Sequence, residues 1–150
     1  MTLNKATNFF ESLVSKTDNK SEIKVYEKFL DILNELKTRE FSQEEIHSIE
    51  MELENLNLKS NPENRKKYFK KALSKFENYL KDVFSLTSKG YYTNLGIGLG
   101  LTFGILFGIV FLSSLERSLG IALGLSFGML IGLAVGKSLD SKAKSEGRMI

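Results

Sequence analysis

The sequence predicts an all-α protein, an N-terminal amphipathic four-helix domain followed by an antiparallel two-helix transmembrane hairpin with GxxxG repeats. Three observations predict it. Charge is confined to one part of the chain: sixteen Lys/Arg and fifteen Asp/Glu precede Gly90, whereas Tyr91 to Leu115 and Ser118 to Gly136 carry none. Apolar residues of the charged half recur at helical spacing. The fourteen residues from Leu95, "LGIGLGLTFGILFG", return 24 positions later as "LGIALGLSFGMLIG", ten of them identical. The implied organisation is a cytoplasmic helical domain over 1–88, a hairpin over 91–137 and a short basic tail over 138–150.

In the charged half, Leu3, Ala6, Phe9, Phe10, Leu13 and Val14 share one face of a first helix. Asn19 with Glu22 three residues on announces a second. Its apolar arc, from Ile23 through Tyr26 and Phe29 to Leu36, is wide enough for a central helix. Ser42 and Glu45 form a capping box for a third, with Phe41 placed to staple onto Ile46. Its seam is Ile46, Ile49, Leu53 and Leu56. Asn61-Pro62 reads as the cap and first-turn proline of a fourth, which buries Phe69, Ala72, Leu73, Phe76, Leu80 and Val83.

Tyr92 to Leu112 is an uncharged run of 21 residues, roughly 31 Å as a helix, and a bilayer core of about 30 Å needs that length. The second span, 119–136, is roughly 27 Å, workable with slight thinning of the bilayer. The intervening turn, 113–118, is too short for anything but antiparallel helices. Lys75, Lys81 and Lys89 precede the first span, and Lys137, Lys142, Lys144 and Arg148 follow the second. This bias predicts that both termini are cytoplasmic. No basic region with an apolar run follows the N-terminus, so a signal peptide is not expected.

Gly96, Gly100, Gly104 and Gly108 line one face of the first span, and Gly120, Gly124, Gly128, Gly132 and Gly136 one face of the second. Small residues at this spacing let helix backbones approach closely in lipid. The spacing leaves two arrangements open, packing within one hairpin or between protomers. Thr102 and Ser126 can bond to their own helix or across to a partner, and Phe103, Phe107 and Phe111 form a bulky neighbouring stripe. Over about residues 91–140 the pattern resembles small, uncharacterised bacterial glycine-zipper membrane proteins. The resemblance implies an integral membrane hairpin of the bacterial inner membrane and carries no activity.

The chain contains no cysteine, which excludes disulfides and thiolate chemistry. The spans offer no ionisable carboxylate or amine for a proton relay or ion-coupled transport. His47 stands without converging partners, and no phosphate-binding loop or nucleophile elbow is present. No catalytic residue, metal or cofactor is expected. Lys67, Lys70, Lys71, Lys81, Lys89 and Lys137 are candidate contacts for anionic lipid headgroups. Nucleic acid is not expected, since Phe69 beside Tyr68 belongs to the core stripe. These features predict a self-associating membrane scaffold or anchor that presents a helical interaction domain to a cytoplasmic protein. Alternatively, glycine-faced hairpins assemble into a small oligomeric pore or membrane-perturbing effector.

Overall fold

The computed structural model describes residues 1–60, 62–111 and 117–150. Among these the chain is all-helical, with α1 (Leu3–Val14), α2 (Lys20–Lys37), α3 (Gln43–Asn55), α4 (Arg65–Phe84), α5 (Tyr91–Phe111) and α6 (Arg117–Ser145). They fall into two compact units, Met1–Leu86 together with Ile150, and Thr87–Met149.

Each helix of the first unit starts where a short polar side chain can take up an unpaired amide. Thr2 accepts from the Lys5 amide at 3.3 Å and Asn19 from Ser21 at 3.0 Å. Ser42 and Glu45 make the reciprocal capping box, at 3.2 and 2.7 Å. The fourth helix departs from the expected start. Its cap is Asn64, whose side chain accepts from the Lys67 amide at 3.0 Å, and Pro62 lies ahead of the helix. Asn61 is outside the described residues. Asn64 prevails because its oxygen reaches an amide three residues on, the geometry a cap requires. Ser85 ends α4 in the left-handed conformation, at φ 56°.

α2 packs against both α1 and α4, and α3 against α4. At the centre, Phe10 stacks on Phe29 at a centroid separation of 4.2 Å, and Tyr26 meets Phe69 edge-on at 5.2 Å. Aromatic pairs of this kind add about 0.5–1.5 kcal/mol beyond the area they bury. The Tyr26 hydroxyl, inside this cluster, donates to Glu22 at 3.2 Å. Burial, reinforced by the Glu22 charge, pushes its phenol up to about 12. Leu58 and Leu86, both outside the helices, are buried as well. Val83 is 57% exposed and does not join the core, because α4 is ending there and its neighbour Phe84 turns inward instead.

In the second unit α5 covers nearly the expected first span, starting at Tyr91 and ending at Phe111. α6 runs on for 29 residues, so most of the stretch expected as a tail is helix. Loss of hydropathy marks the end of an apolar stretch and not of a helix; Ser138 to Ser145 contains neither Gly nor Pro. The stop comes at Gly147, at φ +67°. The Arg148 amide donates to the Ala143 carbonyl at 2.8 Å and that of Gly147 to Lys144 at 3.1 Å, the two bonds of a Schellman end. Arg148 also holds the Glu146 carboxyl below its usual range by hydrogen bonding. Of the turn expected over 113–118, residues 113–116 lie outside the described residues, and 117 and 118 are already helical.

Candidate functional site

The two glycine stripes meet each other. A methyl group built on Gly100 would lie 2.1 Å from the Gly128 carbonyl oxygen, and one on Gly128 would lie 2.1 Å from that of Gly100. The same opposition joins Gly96 to Gly132, Gly104 to Gly124 and Gly108 to Gly120, with contacts of 2.1–2.5 Å. Gly136 faces the Tyr92 carbonyl at 2.5 Å. Each four-residue step up α5 is therefore matched by four down α6, the register of an antiparallel pair. No side chain fits between these backbones at any level. Such contact gains dispersion energy that lipid does not already supply.

Gly98 lies off the stripe, and a methyl group there would meet nothing within 4 Å. The hydroxyl of Thr102 donates to the Gly98 carbonyl at 3.0 Å, and that of Ser126 to Ala122 at 2.8 Å. Both are satisfied on their own helices, so neither bridges the pair, and at these levels it is joined by backbone packing. Outside, the pair is apolar. Phe103, Val110, Phe111, Phe127, Leu130 and Ile131 are each at least 60% exposed. Only 11% of the most apolar window of α5 and 22% of that of α6 is buried by the protein itself. A core helix of a soluble protein is covered on most sides; these two are long and apolar enough to cross a membrane and face outward.

The open end of the pair is closed by a residue that the sequence pattern did not single out. Asp140 is only 9% exposed. One of its oxygens accepts from the Tyr92 amide at 3.0 Å; the other accepts from the Thr93 amide at 3.0 Å and the Thr93 hydroxyl at 2.5 Å. The residue at the cap position of α5 is Gly90, with φ +80°, whose carbonyl accepts from Asn94 at 2.9 Å. Glycine has no side chain with which to cap. Asp140 supplies that cap from the opposite helix, at the second and third amides where a local cap would act, and its charge suits the positive end of the helix dipole. The signal available in the sequence was one carboxylate a single helical turn beyond the last glycine of the stripe. Beside it, the Thr87 amide donates to the Arg148 carbonyl at 2.8 Å, a bridge between the two ends of the unit.

Among the candidate lysines, Lys67, Lys70, Lys71, Lys89 and Lys137 are exposed. Lys81 is not free: it is half-buried and lies 3.4 Å from Asp82. His47 is exposed, and no group of three His, Asp or Glu side chains among the described residues is placed to hold a metal. No family model, curated protein or solved structure matches the chain.

Proposed function

We propose that the chain is an integral protein of the bacterial inner membrane, crossing it twice with both termini in the cytoplasm. Its hairpin acts as an anchor, and its helical unit is a scaffold presented to a cytoplasmic protein partner. The reading is supported above all by one contrast. Along the glycine stripes the α5–α6 pair packs backbone on backbone, yet large apolar side chains cover its outside. Burying such side chains is worth roughly 1.5–3 kcal/mol each, which water cannot provide and acyl chains can. The pattern of lysines flanking the apolar stretches supports the orientation.

The stripe glycines face one another within the chain, which supports packing inside one hairpin. Self-association would use the outward apolar side chains instead. The pore alternative, an oligomer of glycine-zipper hairpins, draws less support, since the stripe glycines already face one another within the chain. Alkaline carbonate extraction of membranes tests the anchor: the chain is expected in the pellet and released only by detergent. Recovery in the supernatant would overturn the proposal.

A further inference from the structure

The exposed face of α4 carries lysines that make no ion pair among the described residues. Between Lys66 and Lys75 the helix holds five lysines and no acid. Lys66, Lys67, Lys70, Lys71 and Lys75 are all exposed. None has an ion pair or side-chain hydrogen bond among the described residues. At 100° per residue they span half the helix circumference, centred on the small side chain of Ser74. On the acidic helix α3, Glu50 accepts from the Leu3 amide and Glu54 is paired with the N-terminal ammonium.

Two further observations select the partner. The aromatic residues interleaved with these lysines are already engaged. Phe69 is 2% exposed; the Tyr68 hydroxyl donates to the carbonyls of Leu56 at 3.0 Å and Asn57 at 2.8 Å, closing the end of α3. No ring is left on this face for a base to stack on, which removes the main grip of single-stranded nucleic acid. What remains is a flat array of ammonium groups on flexible stems, suited to a surface of mobile phosphates and not to a shaped ligand. On the membrane reading such a surface follows closely in the chain, since only the six residues 85–90 separate α4 from α5.

We infer that this face of α4 docks on anionic lipid headgroups of the bilayer that holds the hairpin. The inference rests on the membrane reading above and deepens it. The docking set is Lys66, Lys67, Lys70, Lys71 and Lys75, without Lys81. Binding is electrostatic and weakens as salt shortens the Debye length from about 10 Å at 0.1 M to about 3 Å at 1 M.

The test is the rate of lysine acylation in the full chain, reconstituted in nanodiscs of phosphatidylcholine with or without phosphatidylglycerol. Lys24 and Lys28, exposed on α2, serve as internal references. Phosphatidylglycerol is expected to slow labelling of the five lysines about threefold or more relative to the references, and salt near 1 M to abolish the difference. In K67Q/K70Q/K71Q, whose substitutions are all on the surface, the protection of Lys66 and Lys75 is expected to vanish. Equal labelling in both lipids overturns the inference. So does protection that appears in phosphatidylcholine only when an oligonucleotide is added. A chain that fails to enter nanodiscs at all overturns the membrane reading itself, an outcome visible before any labelling.

Discussion

Glycine inside a helix loses about 0.8–1 kcal/mol against alanine in water, yet Gly100 and Gly128 occupy mid-helix positions where the opposite carbonyl leaves no space for a methyl. Gly100→Ala or Gly128→Ala is expected to push the helices apart and cost about 1–3 kcal/mol, the usual range for overpacking. Gly98→Ala meets open space and should change stability by no more than about 0.5 kcal/mol. Unfolding in mixed detergent micelles compares the three, and equal effects would refute the register. Asp140→Ala leaves the Tyr92 and Thr93 amides without their acceptor, for a loss of about 1–3 kcal/mol. Hydrogen exchange at those two amides should accelerate, and less so in Asp140→Asn, which keeps one oxygen. Tyr26 gives a pH signature. Its phenol is held protonated in the fold, up to about 12 against 10.0 when free. The unfolded chain therefore loses this proton first as pH rises past 10. Its contribution is complete below pH 10 and lost between about 10 and 12, on the order of 2 kcal/mol. Denaturant titrations of wild type and Tyr26→Phe should diverge across that window, with wild type losing more.

At the scale of elements, starts were legible in sequence where a cap residue is followed by a glutamate three positions on, as Asn19 is by Glu22 and Ser42 by Glu45. Ser42 with Glu45 is the clearest case, and Ser42→Ala should cost about 1 kcal/mol of stability in thermal unfolding. The start of α4 was misplaced because the segment offers two asparagines with cap chemistry, Asn61 and Asn64, and the neighbouring proline favoured the wrong one. Ends were less legible. The apolar pattern that located α6 stops at Gly136, but its hydrogen-bonding continues to the Schellman turn at Gly147. Leu58 stands outside any helical period, so nothing in the spacing marked it as a core residue. Asp140 was missed for a different reason. Its partners, Tyr92 and Thr93, are more than 45 positions away, and their pairing exists only once the glycine register has brought the two helices together.

For the molecule as a whole, the contrast between a charged and an uncharged half was visible at once and survives as two compact units. The repeated glycines announced close helix packing without saying which helices took part. Only the register of carbonyls against glycines shows them used within one chain. Function was the least legible level, because the proposed role rests on surfaces and not on a catalytic constellation. A basic face reads the same in sequence whether it is neutralised or open; the difference lies in where Glu50, Glu54 and Tyr68 spend their hydrogen bonds.

The central claim, an anchor that crosses the membrane twice, is tested most directly by labelling single cysteines with an impermeant thiol reagent. The native chain has none to interfere. Cysteines replacing Thr17, Ser114 and Ser141 would be compared in intact and permeabilised spheroplasts. The account predicts that Ser114→Cys alone is labelled in intact cells and that the other two react only after permeabilisation. Protection of Ser114→Cys until permeabilisation, or labelling of Ser141→Cys without it, would contradict the account.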